Sequence, residues 1–381
     1  LPQGTKNKTP EELEEETELL GSTIRMAAGR EEITLESSML SRNFDKTLSL
    51  IKEILLEPRW DSAEFRMALT RTLNYIIQSE AQPASVASSA FYRKIYGPDH
   101  IFGYNTRGTR ESLGKMTIDD LIAFYERTFK PEATKILIAG NITKEQADEA
   151  LTALADDWDI KSGDNVQYDY PEPAAPQKSE IHFVDIPGSY QSVIYAGYPA
   201  LKRTDPDYIK ADFINYRLGG AFTSILNQIL REQKGYTYGA SSSFLSMKTI
   251  SPFVAATSVR SDATFESVKI IKEEMEKYSN NFSQDDLIFV KDYLVRSNAL
   301  RFETNAALAG MLSSMAKYGF EDDYIKKEED IIKNMTLEEA KEMIDKYIVP
   351  DRMYYIIAGD AASQMEALGQ LGMGNVVLTN K

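Results

Sequence analysis

Apolar residues recur with a helical period in two separated stretches, and each stretch runs on into a β-rich segment. In "KMTIDDLIAFYERTFKPEATKILIAG" (115–140), Ile118, Leu121, Ile122 and Tyr125 form one helical face. In "NMTLEEAKEMIDKYIVPDRMYYIIAG" (334–359), Leu337, Ala340, Ile344 and Tyr347 do the same, with Lys341 interrupting. Thr117 and Thr336 stand at the helix starts. Asp120 and Glu339 follow three residues on, the spacing of a reciprocal cap. Pro131 and Pro350 end the helices and lead into "KILIAG" and "YYIIAG", which predict strands.

The two stretches are one unit written twice. Met116 and Met335, Pro131 and Pro350, and Gly140 and Gly359 are each separated by 219 positions, with no gap between them. Upstream, "TLSLIKEILLEPRWDSAEF" (47–65) matches "SVKIIKEEMEKYSNNFSQDDL" (267–287) as helix, loop and capped helix start. The offset there widens from 220 to 222, between Trp60 and Phe282, which places small insertions in the loop. A period this long predicts duplicated α+β domains and not a solenoid. The proline-rich "QYDYPEPAAPQKS" (167–179) reads as the linker. The expected domains are therefore 1–166 and 180–381. The second opens with two strand-like runs in "EIHFVDIPGSYQSVIYAGYPAL", whose counterparts would fall before Leu1. The first domain is thus expected to lack its opening strands, as in a piece of a longer protein.

Composition narrows the function classes. The chain has 381 residues, 43% hydrophobic and 27% charged, the profile of a globular protein. A net charge of −15 argues against nucleic acid as a partner. Cysteine is absent, which excludes disulfides, zinc–thiolate sites and thiol nucleophiles. No signal-peptide pattern or bilayer-length apolar run is present. A soluble chain is expected, in the bacterial periplasm or cytoplasm, with the periplasm favoured.

Candidate chemistry is sparse. His100 and His182 fall in different sequence repeats with no metal-ligand spacing around them, so no metal site is expected. In "LGGAFTSILNQ" (218–228), Gly219 and Gly220 precede a helix. They could admit an anion at its N-terminus or allow close packing. The acidic run Glu11–Glu18 follows a Thr9-Pro10 helix start and reads as a solvated helix face. "LREQKGYTYG" (230–239) is more pointed. Strand alternation would put Tyr236 and Tyr238 on one face, within reach of Arg231. A guanidinium and a phenol suit a carbonyl or carboxylate. A surface arginine beside two packed tyrosines is the competing reading.

"VDIPGSYQSVIYAGYPALKRTDPDY" (184–208) and "NYRLGGAFTSILNQILREQKGYTYGASSSF" (215–244) resemble the pitrilysin and mitochondrial-processing-peptidase family of inverted-motif zinc peptidases. "GTKNKTPEELEEETELLGS" and "LIAGNITKE" fit as well. The resemblance implies an α+β fold of two duplicated domains. Each would be a mixed, mainly antiparallel sheet with helices packed on one face, the metallohydrolase-like fold. It also implies two halves closing round a peptide chamber, only one of which carries H-x-x-E-H and zinc. At the position of the later glutamate ligand, "RTLNYIIQSEAQP" (71–83) has Asn74 and Tyr75. The chain therefore resembles the non-catalytic half, inactive alone, with zinc and the H-x-x-E-H motif in a partner half. That partner would be fused or separate. In the family this half supplies a pattern like R-x-x-x-G-x-x-Y, here Arg231 and Tyr238, with Tyr236 as the alternative. Arg231, Tyr236, Tyr238, Gly219 and Gly220 are thus the expected substrate-binding residues. The other function the resemblance allows is an assembly subunit without peptidase activity.

Overall fold

The computed structural model describes residues 3–158 and 170–379. Residues 159–166 of the expected first domain and 167–169 of the expected linker lie outside the described residues. By spatial contact the chain divides into two units. One comprises 1–76, 106–169 and 304–313, and the other 77–105, 170–303 and 314–381.

The first unit is helix-rich. Its strands β1 (Thr23–Ala28) and β2 (Ile33–Ser38) form an antiparallel pair. Helix Phe44–Leu56 buries Leu50, Ile51, Ile54 and Leu55 on one side. Ile51 and Leu55 meet Leu154 and Trp158, while Leu50 and Ile54 meet Leu13 of helix Pro10–Leu19. The helix starts read from sequence form as reciprocal caps. Thr9 with Glu12 caps Pro10–Leu19, and Thr117 with Asp120 caps Ile118–Thr128.

"KILIAG" departs from expectation. Residues 135–139 carry no strand, and Ile136 and Leu137 are exposed. A strand requires a partner for its backbone N–H and C=O groups. In the second unit the equivalent run is β7 (Tyr354–Gly359), flanked on both sides by strands. Among the described residues of the first unit, no strand lies against 135–139.

The second unit is built on a six-stranded mixed sheet of order β5-β6-β4-β7-β3-β8. Its remaining strands are β3 (Glu180–Asp185), β4 (Gln191–Leu201), β5 (Thr237–Phe244), β6 (Ser251–Arg260) and β8 (Val376–Thr379). Pairings are antiparallel from β5 through β7, and β3 runs parallel to β7 and β8. Alternation sorts the side chains. Ile181, Phe183, Ile194, Ala196, Phe253, Ala255, Tyr355 and Ile357 enter the main core with helices such as Tyr208–Asn215, Thr264–Glu276 and Leu337–Tyr347. The opposite face is covered in part by helix Pro83–Tyr96. Phe91 and Ile95 of that helix meet Tyr354 and Ile356, and Val86 and Ala87 meet Val184, Val193 and Ala358. That coverage explains why all six residues of β7 are buried. Gly197 is required here, because a Cβ would fall 2.1 Å from the Phe253 carbonyl oxygen.

Candidate functional site

The stretch 215–244 folds back on itself so that a helical segment lies along the edge strand β5. Helix Tyr208–Asn215 passes into a π-helical turn at Tyr216–Gly220, and a second π-helical turn spans Gln228–Gln233. Such turns are rare and frequent at functional sites. Arg231 lies in the second.

Three side chains, from this segment and the helix before it, close the outer edge of β5. Asn227 Oδ1 accepts from the Ala240 N–H at 3.1 Å. Asn215 Nδ2 donates to the Ser242 carbonyl at 2.9 Å, and Tyr208 Oη donates to the Phe244 carbonyl at 2.9 Å. These are alternate residues, as the outward groups of an antiparallel edge must be. With them satisfied by the chain itself, the edge is protected from strand addition at those positions. Gly219 permits this close approach, since a Cβ there would meet the Ser242 backbone N at 2.4 Å. Gly219 is buried and Gly220 is exposed.

Tyr236 and Tyr238 differ in exposure. Tyr236 precedes the strand and packs half-buried against the main core. Tyr238 is 94% exposed. Tyr238 stands in a bulge. Thr237 pairs with Val259 and Ala240 with Thr257, so Tyr238 and Gly239 together oppose the single residue Ser258. Thr237 Oγ1 holds the bulge by accepting from the Gly239 N–H at 3.0 Å, and Thr257 Oγ1 donates to the Gly239 carbonyl at 3.0 Å.

Arg231 is partly exposed, with its guanidinium 4.6 Å from the centre of the Phe222 ring. Nη1 lies 2.9 Å from Glu232 Oε1, an ion pair whose angle is not that of a hydrogen bond, so this buried donor atom remains unused. Phe222 itself is 71% exposed. Its loop is fixed from two sides. Asn227 Nδ2 donates to the Phe222 carbonyl at 2.6 Å, and Arg217 Nη1 donates to the Thr223 carbonyl at 2.8 Å. Asn227 thus ties the Phe222 loop and the Tyr238 bulge to one side chain, one turn before Arg231. Sequence reasoning passed over Asn227 and Phe222. An Asn within an otherwise apolar helical run was the available signal.

The two histidines are both engaged by other groups. His100 is buried with its Nδ1 accepting from the Phe102 N–H, and it packs against Tyr96, Phe102 and Tyr170. His182 lies on β3, with Nε2 2.9 Å from Glu180 Oε2 and Nδ1 3.2 Å from Thr379 Oγ1. Burial pushes the pKa of both imidazoles down, the Glu180 hydrogen bond opposing this at His182. Among the described residues no group of three or more His, Cys, Asp or Glu could hold a metal ion. Asn74 is exposed, and Tyr75 sits under the Arg107 guanidinium at 3.9 Å. Among the described residues no helix is long and apolar enough to cross a membrane.

A mixed sheet with its helical layer and a protected edge defines an α+β fold of the metallopeptidase-like class. The family model described as the peptidase M16 inactive domain matches residues 115–294, and that segment belongs to this family. The resemblance to the pitrilysin and mitochondrial-processing-peptidase group stands. The chain is 22% identical to the "Non-peptidase homolog YmxG" of Helicobacter pylori, over 80% of this chain and 69% of that protein. It is 22% identical to an "Uncharacterized zinc protease" of Rickettsia felis, over 80% of this chain and 72% of that one. The crystal structure of a peptidase M16 inactive domain from Pseudomonas fluorescens superposes with a TM-score of 0.82 at 22% identity. It covers 95% of this chain and 87% of that chain. At that identity the last likeness is one of fold.

Proposed function

We propose that this chain is the non-catalytic, substrate-binding half of a zinc metallopeptidase and completes an active site whose metal sits in a partner half. The partner carries H-x-x-E-H, in the same polypeptide or a separate subunit. A zinc ion held by that motif would supply the Lewis acidity that polarises the scissile carbonyl and lowers the pKa of a bound water. Tyr238 donates a hydrogen bond to the oxygen that gains charge in the transition state. Arg231 holds a neighbouring carbonyl or a peptide C-terminus. Gly219 and Gly220 serve the substrate by letting the π-helical segment lie against β5. The observation that carries this reading is the exposed Tyr238 on a pinned bulge. A phenol that merely packed would be buried.

The name of the Helicobacter pylori relative favours a second reading, an assembly subunit with no peptidase role. Photocrosslinking separates the two. With Tyr238 replaced by p-benzoylphenylalanine, the assembled complex should capture an unfolded peptide, in competition with unlabelled substrate. Capture of partner protein alone, unaffected by peptide, would leave only the assembly role.

A further inference from the structure

The sheet face opposite the main core is only partly covered by helix Pro83–Tyr96. Contacts from that helix reach β3, β4 and β7. On β5 and β6 the outward positions Ser241, Ser258 and Arg260 are exposed, and Gln191 opposes Arg260 from β4. Inward residues Thr257 and Val259 alternate with them and are buried. Tyr238, in the bulge opposite Ser258, lies at this same corner. Arg260 is two residues further along β6 on the same face as Ser258. Diagonal neighbours of this kind stand about 7–8 Å apart.

Arg260 is lightly held. Its Nε lies 3.2 Å from Asp262 Oδ1, with both side chains more than half exposed. Exposed pairs of this sort contribute only about 0–1 kcal/mol, so a ligand carboxylate can replace Asp262. The Arg260 N–H donates to the Tyr236 carbonyl at 3.2 Å, which fixes the backbone beside the bulge whatever the side chain does. Closure of the β5 edge by Asn227, Asn215 and Tyr208 leaves side chains to anchor a peptide here. An exposed guanidinium, paired with Asp262 and 6.0 Å from the centre of the Tyr236 ring, is a local exception in a chain of net charge −15. It complements an acidic group, and its field acts over about 8–10 Å at ordinary ionic strength.

We propose that Arg260 is a specificity-determining residue. It binds an acidic side chain of a peptide lying across the open face of β5 and β6, about two residues from the one beneath Tyr238, at about 3.3 Å per extended residue. This rests on the substrate-binding reading above and adds a preference that reading does not contain.

The test uses the assembled two-half enzyme and peptide sets with Glu, Gln or Lys placed in turn at each position near the cleaved bond. The wild type should prefer Glu over Gln by about three- to tenfold in kcat/KM at one position, a gain of about 0.7 to 1.4 kcal/mol. Arg260→Ala should bring that ratio to within twofold while a peptide lacking the acidic residue is cleaved at the wild-type rate. Arg260→Glu should turn the preference toward Lys. An acidic preference surviving Arg260→Ala, or no acidic preference at any position in an enzyme that Tyr238→Phe still slows, overturns the assignment of Arg260 alone. Loss of peptide dependence on Tyr238 and Arg231 overturns the substrate-binding reading itself.

Discussion

Tyr238→Phe in the assembled enzyme lowers turnover by about 10²–10³, as does Arg231→Ala, while the fold of this chain is unchanged. Removing one preorganised donor to a developing oxyanion has this typical cost. The physical basis is that Tyr238 is held in place without being used. Its ring is 94% exposed, and the bulge beneath it is fixed through Thr237 and Thr257. Deleting its hydroxyl removes no packing, so circular dichroism and urea midpoint should stay at wild-type values. Arg231 is held differently, over Phe222 and beside Glu232, with one buried N–H unused. Arg231→Lys should recover little, because an ammonium lacks the planar fork. Single-turnover rates on one peptide substrate decide the matter. Values within twofold of wild type for both variants would remove these residues from the chemistry.

Glu328→Ala destabilises the second unit by about 3–5 kcal/mol. Glu328 is buried and pairs with Arg203 through one oxygen and with Arg301 at 2.9 Å through the other. Arg203 is enclosed, with its guanidinium 4.6 Å from the ring centres of both Tyr208 and Phe320. Without the carboxylate, the buried Arg203 loses its hydrogen-bonded counter-ion and keeps only Asp212 as a nearby acid. Removing one partner of a buried pair costs much more than the pair contributes. The effect reaches the site, since Tyr208 also caps the β5 edge through the Phe244 carbonyl. Urea unfolding followed by tryptophan-independent far-UV circular dichroism should show a lower midpoint. Glu328→Gln should fall between, keeping volume and losing charge. A midpoint unchanged in Glu328→Ala would mean that Arg203 finds water or another anion.

Local chemistry was legible where it was self-contained. A threonine with an acid three residues on caps a helix wherever it stands, and Thr117 and Thr336 do so with the partners the spacing names, while the helix start read at Thr9 is capped with Glu12. Gly219 was legible as a close-packing residue, although its partner Ser242 was not. What failed was set by neighbours distant in sequence. "KILIAG" has strand composition, yet residues 135–139 have no strand beside them among the described residues. Composition gives a tendency and the ladder gives the strand. The run after Gly235 reads in sequence as one regular strand that includes Tyr236. The strand begins at Thr237 and bulges at once. Arg260 carried no sequence signal, because its face depends on the pairing of β6 with β4 and β5. The two histidines fall in different sequence repeats and in one spatial unit, since residues 77–105 belong with the second sheet.

The central claim is that this chain binds no catalytic zinc and completes a site whose metal is elsewhere. The most direct measurement is peptide cleavage together with zinc content, taken for this chain alone, for its H-x-x-E-H partner alone, and for the two combined. The account predicts no zinc and no cleavage for this chain, zinc in the partner, and cleavage on combination that falls when Tyr238 is replaced by Phe. Stoichiometric zinc in the isolated chain, or full cleavage by the partner without it, would contradict the account.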